Sequence, residues 1–256
     1  MKRQQEILDY INEKKIVYFA NLCEHFNVSN ATMRRDLVSL ENLGLIKRFH
    51  GGAKSLSYAQ NPFANPQDRI SDREDKYLKE KESIANSVLP FLKSGDSLMF
   101  DASSTCLVLC KEIAKTDLKL TIITNYFSIA SCFENKKNIS IIYLGGAYHH
   151  ESFSTSGPIA EQTLGTLGAT YAFFGIDGID PERGLSNNRI DAINIKKIMI
   201  NHCQKSFCLA DYSKFSKNAA VQVTSLENID YIITNKELPD EVIKKYGTYK
   251  DKIIRV

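Results

Sequence analysis

Two adjacent arginines, Arg34 and Arg35, lie in the stretch VSNATMRRDLVSLENLGLIKRFHGGA, which covers residues 28–53. A guanidinium group donates parallel hydrogen bonds to a guanine edge or to a phosphate, so this pair suits a polyanionic partner. Asn30 and Thr32 carry groups that hydrogen-bond to base edges or to the nucleic-acid backbone. The residue types in this stretch therefore indicate nucleic-acid recognition.

A second set of polar and small residues follows short apolar runs later in the chain. Hydroxyl groups come directly after the run SLMF, where a helix beginning at this point would offer free N–H groups to a phosphate. Glycines allow close backbone approach, carboxylates accept from sugar hydroxyls, and a lysine pairs with a phosphate. The residues predicted to bind a small effector are Asp101, Ser103, Ser104, Thr105, Thr124, Asn125, Gly145, Gly146, Asp177, Gly178 and Lys214. Ordinary turn chemistry is the alternative interpretation of each one taken singly.

Three short helices are predicted to position the arginine pair. Apolar residues recur at helical spacing in two segments, first Ile7, Leu8 and Ile11, then Phe19, Leu22, Cys23 and Phe26. Ser29 is placed to cap a third helix that begins at Asn30. One face of that helix is predicted to pack inward, with Met33, Leu37, Leu40 and Gly44. The opposite, outward face carries Ala31, Arg35, Val38 and Asn42.

A β-hairpin is predicted after the third helix. LIKRF and AKSLS are its strands, and the segment 50–52, His-Gly-Gly, is its turn. Lys47, Arg48 and Lys54 on these strands would reach neighbouring phosphates. Three helices and this hairpin form a winged helix-turn-helix, whose third helix enters the DNA major groove. The residues predicted to contact DNA are Ser29, Asn30, Thr32, Arg34, Arg35, Lys47, Arg48 and His50.

The rest of the chain alternates between strand-length and helix-length segments. The apolar runs SLMFD, LTIIT, ISIIYL, YAFFGI, FCLA and YIIT are short enough for strands. Helices are predicted between them at 105–115, 126–134, 157–168 and 190–203. This alternation predicts an α/β domain with a mainly parallel sheet, whose ligands bind at the carboxyl ends of the strands.

Composition and charge fit this division of the chain. Residues 1–58 hold nine Lys or Arg and six Asp or Glu, so the whole net charge of +3 falls in this segment. Two prolines and four acidic residues in 55–75 indicate an extended linker. The predicted domains are 1–57 for DNA binding, 58–75 for the linker and 76–256 for effector binding. The polar N-terminus and the lack of a long apolar run predict a cytoplasmic protein without membrane contact.

The motif of residues 28–53 resembles the signature of the DeoR family of bacterial transcriptional regulators. It shares the Val-Ser cap, the Thr-hydrophobic-Arg-Arg-Asp-Leu core and the His-Gly-Gly-Ala wing, with Met33 at the hydrophobic position. The segments DASST, TN, LGG, SGPIAEQTL, AFFGIDGID, GLS and ADYSKF resemble the family's later blocks. This resemblance implies an oligomeric regulator, usually a repressor, whose second domain is similar in fold to ribose-5-phosphate isomerase and senses phosphorylated sugars.

Other chemistry-bearing residues receive structural interpretations. His149 and His150 are adjacent, so on a strand they point to opposite faces, and an exposed loop pair without a metal is predicted. The six cysteines have no metal-like spacing, and Cys106 and Cys110 are predicted to be core residues. The alternating charges of DREDKYLKEKE predict a solvated helix face.

The leading hypothesis is a non-enzymatic, DNA-binding repressor of carbohydrate genes, controlled by a phosphorylated sugar and needing no cofactor. Its partners would be double-stranded operator DNA, the effector and further copies of the chain. One alternative is a sugar-phosphate isomerase that carries a DNA-binding domain, with Asp101, Asp177, Asp180 and Lys214 available for proton transfer. The other is an architectural DNA-binding protein with an inactive second domain.

Overall fold

The computed structural model describes residues 2–14, 16–49, 52–56, 71–74, 76–150 and 152–256. By its internal contacts the chain divides into two units, Met1–Asp75 and Lys76–Val256. Most of the predicted linker, and the predicted DNA contact His50, lie outside the described residues. Within the linker the structure describes one short helix, Ser71–Glu74.

The first unit packs three helices against a small antiparallel sheet. The helices are α1 (Lys2–Lys14), α2 (Phe19–His25) and α3 (Asn30–Asn42), and the strands are β1 (Ile16–Tyr18), β2 (Ile46–Phe49) and β3 (Gly52–Ser55). The predicted stripes meet in one core that includes Ile7, Ile11, Leu22, Met33, Leu37 and Leu40. Burial of these apolar side chains holds the three helices together.

The predicted hairpin is present, but it belongs to a sheet of three strands with the order β1-β3-β2. Strand β1 was not predicted, although its sequence Ile-Val-Tyr has high β propensity. It pairs with β3, which thereby becomes the central strand. Lys54 lies on β3 and is buried, so the prediction that it reaches DNA phosphates is wrong.

The second unit is built around a parallel sheet of seven strands. In chain order they are β4 (Ser97–Phe100), β5 (Leu120–Thr124), β6 (Ile139–Tyr143), β9 (Ala169–Phe174), β12 (Cys203–Leu209), β14 (Tyr231–Thr234) and β15 (Ile253–Arg255). Their spatial order is β15-β14-β12-β9-β4-β5-β6, and each neighbouring pair is parallel. The α/β prediction is confirmed, and all six predicted strands lie in this sheet.

The helices of this unit follow the predicted alternation but are shorter. They are α5 (Leu78–Val88), α6 (Ser104–Ile113), α7 (Phe127–Ser131), α8 (Pro158–Gly165), α9 (Ile193–Asn201) and α10 (Asp240–Lys244), the short linker helix being α4. A solvated face was predicted for the charged segment that forms α5. Lys81 is instead buried, because it shares a stripe with Ile84, Ala85 and Val88.

Both faces of the parallel sheet carry apolar side chains, as a sheet covered on both sides requires. On one face the rings of Phe100, Phe173, Phe207 and Tyr231 stack in register across four strands, with centroids 5.2–5.3 Å apart. The next residues along these strands point to the opposite face. There Phe174 and Cys208 lie in one core with Ile195 and Met199 of α9.

Two small antiparallel sheets accompany the parallel one and were not predicted. One is the hairpin β7 (Ala147–His149) with β8 (Ser154–Ser156), and the other joins β10 (Gly178–Asp180), β11 (Gly184–Asn187) and β13 (Val221–Thr224). Their strands have three or four residues, too few for a clear alternation of apolar and polar side chains.

Candidate functional site

Helix α3 presents a polar, positively charged face to solvent. The Ser29 hydroxyl accepts a hydrogen bond from the Thr32 N–H at 3.3 Å, and the hydroxyl groups of Ser29 and Thr32 are hydrogen-bonded to each other at 2.9 Å. These two bonds fix the first turn of the helix. The hydroxyl groups of Ser29 and Thr32 therefore stabilise the start of α3, and they also lie on its solvent-facing side. Five residues of the exposed face line a surface cavity of about 570 Å³: Asn30, Ala31, Arg34, Arg35 and Val38.

A buried carboxylate, which the sequence analysis did not single out, fastens α1 to α3. Asp36 accepts from Arg3 Nε at 2.8 Å and from Gln4 Nε2 at 3.2 Å. Its residue is 6% exposed, so these bonds satisfy a charge that would be costly to bury alone. The acid beside the arginine pair therefore sets the orientation of α3 on the core.

The two basic residues of strand β2 have different environments. Lys47 is exposed, whereas Arg48 is paired with Glu41 near the end of α3. The Arg48 Nε donates to Glu41 Oε2 at 2.6 Å and its backbone N–H donates to Oε1 at 2.9 Å. These hydrogen bonds hold the pKa of the Glu41 carboxyl below its usual value. Of the residues predicted to contact DNA, Arg34, Arg35 and Lys47 are exposed without such an ion pair among the described residues.

The residues predicted to bind an effector lie along one edge of the parallel sheet. Phe100 pairs in register with Thr124, so Asp101 and Asn125 follow at neighbouring strand ends. Gly145 lies just beyond the outer strand β6, and Lys214 follows β12 on the other side. From β6 to β12 the edge covers four strand spacings, about 19 Å. A single sugar phosphate would reach only part of this set.

The sheet changes direction of winding between β4 and β9. From β4 the chain proceeds to β5 and β6 on one side, and β9 then returns to the other side of β4. A crevice at such a switch point is where open parallel sheets bind ligands. The loop of Asp101 and Ser103 and the start of α6 lie here. A Cβ atom on Gly175, which follows β9, would come within 2.5 Å of the Ser103 Cβ, so the two loops touch.

Asp101 is held by a buried ion pair that was not predicted. Its Oδ2 accepts from Lys196 Nζ of α9, and its Oδ1 accepts from the Gly175 N–H at 3.1 Å. The Lys196 and Asp101 side chains are 4% and 2% exposed. Such a pair is costly to break because one charge would stay buried alone. Asp101 therefore connects the end of β4 to helix α9 and to the loop after β9.

The beginning of α6 carries three hydroxyl side chains, those of Ser103, Ser104 and Thr105. Ser103 accepts from the Cys106 N–H at 3.3 Å as the N-cap of this ten-residue helix. Ser104 and Thr105, in the first turn, are buried with 7% and 6% exposure. The N–H groups of a first turn have no partner within their helix and favour an anion.

Asn125 carries an unmatched acceptor at the neighbouring strand end. Its Nδ2 donates to the Thr155 carbonyl oxygen at 2.6 Å, while its backbone oxygen accepts from the Thr155 N–H at 2.9 Å. Its Oδ1 is buried without a hydrogen-bond partner among the described residues. Thr124, beside it, accepts from the Tyr126 N–H at 3.1 Å and is fully buried. Thr124 thus shapes the turn, and Asn125 ties it to β8.

Two of the glycines that were predicted to bind the effector lie close to backbone atoms of other segments of the protein. A Cβ atom at Gly146 would lie 2.6 Å from the Ser156 carbonyl oxygen, and one at Gly178 would lie 2.5 Å from the Lys217 carbonyl oxygen. Asp177 accepts from the Asn188 N–H at 2.9 Å. These contacts explain the residue types by local packing. At Gly145, in contrast, a Cβ atom would meet nothing within 4 Å.

Lys214 lies in a short 3₁₀ turn after β12. The buried Asp211 begins this turn and accepts from the Ser213 N–H at 3.0 Å. Lys214 is half-buried beside it. Since β12 is adjacent to β9 in the sheet, this turn and the switch-point loops share one edge.

A second cluster near this edge contains residues that were not predicted to bind an effector. His149 was predicted in an exposed loop, but it lies on β7, with its Nε2 2.6 Å from the Ser156 hydroxyl and 3.6 Å from Asp191 Oδ2. Arg189 forms an ion pair with Asp191. The contact between His149 and Ser156 depends on the β7–β8 hairpin, which could not be predicted from the sequence pattern.

The described part of the chain contains no cluster of three or more His, Cys, Asp or Glu residues arranged to hold a metal ion. No helix in the same part has both the length and the apolar character of a membrane span.

Family comparison identifies both units. Residues 3–59 match the DeoR-like helix-turn-helix domain, and residues 76–236 match the DeoR C terminal sensor domain. The chain belongs to the DeoR family of DNA-binding transcriptional regulators. Members of this family are regulators and not enzymes, so the isomerase alternative is not retained.

Similar proteins include a Bacillus subtilis regulator, YulB, which is 32% identical and covers 100% of this chain and 96% of that protein. The L-fucose operon activator of Haemophilus influenzae is 30% identical over 97% of each chain. The glycerol-3-phosphate regulon repressor of the same organism is 27% identical, covering 98% of this chain and 95% of the repressor. Among solved structures, ribose 5-phosphate isomerase A of Methanocaldococcus jannaschii matches 54% of this chain and 55% of its own, with 16% identity and a TM-score of 0.41.

Proposed function

We propose that this DeoR-family regulator is a repressor of carbohydrate-metabolism genes and that a phosphorylated sugar controls its affinity for operator DNA. The observation that carries the proposal is the start of α6 at the switch point, where Ser103 caps the helix and Ser104 and Thr105 form its first turn. Such a helix start binds phosphate through its N–H groups and dipole.

Sugar recognition is supported by the residues beside this helix start. The free acceptor of Asn125 matches a hydroxyl donor, and Lys214 supplies a cation from the adjacent strand end. Two relatives are named for an L-fucose operon and a glycerol-3-phosphate regulon, which supports a carbohydrate-related effector.

DNA binding would use the exposed face of α3, with Arg34 and Arg35 in the major groove and Lys47 at a phosphate. Asn30 and Thr32 would contact base edges or backbone from the first turn of the helix. Operators with two half-sites suit a regulator that presents two such helices, so the chain would act as a homo-oligomer. A regulator of this kind works in the cytoplasm, where bacterial DNA lies.

A thermal-shift screen of the full chain tests the sensor assignment. The ligands are phosphorylated sugars, each paired with its unphosphorylated parent. A rise in melting temperature with a phosphorylated compound alone is expected, because binding to the folded state stabilises it. No shift with any phosphorylated compound would contradict the proposed effector class.

The effector found in the screen is then added to the protein bound to an operator duplex, and DNA release is measured. Lys214→Ala should keep its DNA affinity and lose the response to the effector. Lys217→Ala, at an exposed lysine nearby, is the matched control and should respond normally. An undiminished response of the Lys214 variant would remove this lysine from the site. A reporter gene shows the sign of regulation, and activation in the absence of effector would contradict repression.

A further inference from the structure

The Glu41–Arg48 ion pair joins the recognition helix α3 to the first strand of the hairpin, the wing. Glu41 lies in the last turn of α3, and Arg48 lies seven residues later on β2. Two hydrogen bonds connect them, one from the Arg48 side chain at 2.6 Å and one from its backbone N–H at 2.9 Å. One carboxylate therefore fixes both the side chain and the backbone of the wing.

Backbone hydrogen bonds hold the turn between these residues, and pairing with β3 holds the strand that follows it. Gly44 has a φ of +68° and its N–H donates to the Glu41 carbonyl oxygen at 2.8 Å, which ends the helix. Ile46, at the start of β2, is buried in the core and anchors the strand at that end. Farther along the strand, the Glu41 carboxylate supplies the contact to α3.

The two basic side chains of the strand point in opposite directions. Successive side chains of a β-strand lie on opposite faces, so Lys47 points away from the face on which Arg48 meets Glu41. The two side chains therefore leave the strand on different faces. A carboxylate next to a DNA-binding surface would also repel phosphates unless a cation neutralises it.

We propose that Glu41 and Arg48 are positioning residues that fix the angle of the wing on α3, and that Lys47 makes the phosphate contact on this strand. The inference rests on the proposed use of the α3 face and wing in DNA binding. It replaces the prediction that Arg48 itself contacts DNA. Glu41, despite its negative charge, then contributes favourably to DNA affinity.

The test measures binding of the full chain to a duplex selected with it from a randomised DNA pool. Glu41→Ala and Arg48→Ala should each weaken binding by about two- to fivefold, the scale of a partly exposed ion pair. The double variant should be no weaker than either single variant, because both substitutions remove one shared contact. The slope of log affinity against log salt should stay unchanged in the double variant, which removes one positive and one negative charge together.

Lys47→Ala is the matched control on the same strand. It should reduce the steepness of the salt dependence by about 0.9, the value expected for one lost phosphate contact. A direct phosphate contact by Arg48 makes opposite predictions: the double variant would reduce the salt slope, and Glu41→Ala would leave affinity unchanged or raise it. That pair of results would overturn the proposal.

A charge swap guards against variants that simply fold less well. Glu41→Arg combined with Arg48→Glu restores the side-chain ion pair in reverse but not the hydrogen bond from the residue-48 backbone N–H, so partial recovery is expected. Melting temperatures establish that each variant is folded. Affinity nearer to the original than that of either single reversal supports positioning. A double reversal as weak as Arg48→Glu alone contradicts it. If the unaltered chain selects no duplex, the proposed DNA-binding function fails, not this assignment of roles.

Discussion

The buried ion pair of Asp101 and Lys196 joins the residue after β4 to helix α9. Removing one partner by Lys196→Met leaves a carboxylate buried without its cation, so we expect a loss of about 3–5 kcal/mol in the free energy of unfolding. Chemical denaturation at neutral pH measures it. Adding Asp101→Asn to the methionine variant should recover part of the loss. A single variant as stable as the original chain would contradict the importance of the pair.

The buried thiols of Cys106 and Cys110 are expected to be unreactive. Burial raises the pKa of Cys106 and Cys110 well above the usual value, with the Asp101 carboxylate adding to the effect at Cys106. Burial also raises the pKa of Cys203 to about 11. Because the thiolate is the reactive form, iodoacetamide at pH 8 should leave Cys106 and Cys110 unmodified in the folded protein. Modification at the rate seen in the unfolded chain would contradict their assignment to the core.

The raised thiol pKa values also predict a pH dependence of stability. The folded state keeps protons that unfolded cysteines release, so their contribution is complete below about pH 8.5. It is lost as the pH rises towards the folded-state values. We therefore expect the free energy of unfolding to fall between pH 8 and pH 10 in a reducing buffer. Replacing Cys203 with Ala should make this decrease smaller.

Arg35 is the residue on α3 for which a direct base contact is expected. Its Nε donates weakly to the Ala31 carbonyl oxygen at 3.4 Å and its side chain is exposed, so the guanidinium is accessible to DNA. Arg35→Ala should weaken binding to the selected duplex by about 1–3 kcal/mol if the arginine reads a base. Arg183→Ala, an equal charge change at an exposed position in the sensor unit, is the control. Equal affinities of both variants at matched salt would remove Arg35 from the interface.

At the scale of elements, the adjacent glycines after β6 can be tested for their role. The test asks whether each glycine is needed for local packing or leaves space for a ligand. Gly146 has a φ of +136°, and its Cβ position lies 2.6 Å from the Ser156 carbonyl oxygen of β8. Gly146→Ala should therefore lower the melting temperature, because the added methyl group would push the residue before β7 away from Ser156 of β8. Gly145→Ala should leave stability nearly unchanged, because its Cβ position is open. Equal melting temperatures would show that the hairpin adapts.

Elements with strong periodicity could be predicted from the sequence, and short or paired ones could not. The cap at Ser29, the buried face of α3 and six strands of the parallel sheet follow from spacing and composition. Strand β1 and the hairpin β7–β8 have three residues per strand, too few for a clear pattern. Their stability comes from partners that are distant in sequence.

The same distinction holds for the candidate sites. Positions after strands could be predicted, since parallel strands bring their carboxyl ends to one edge. The partners of these residues could not, because Lys196 lies 95 residues from Asp101 and reaches it only through the fold. The Glu41–Arg48 pair is close in sequence, but its geometry depends on the turn at Gly44.

At the scale of the whole molecule, charge and ligand chemistry are divided between the two units. The net charge of +3 lies in residues 1–58, and the remainder is neutral overall. Long-range attraction to DNA therefore comes from the first unit, while the effector site that we propose in the second unit uses local groups such as the start of α6. Control of DNA binding then requires free-energy coupling between the units.

Such coupling must be reciprocal. If an effector lowers the affinity for the operator duplex by a given factor, the duplex must lower the affinity for the effector by the same factor. We expect a coupling of about 1–3 kcal/mol, or about 5- to 150-fold, measured by titrating effector into the protein with and without saturating duplex. Arg35→Ala is the control, because it should bind the effector normally but bind the duplex more weakly. Duplex added at the same concentration should therefore change the effector affinity of this variant less. Equal effector affinities of the original chain with and without bound duplex would rule out equilibrium control of DNA affinity by that effector.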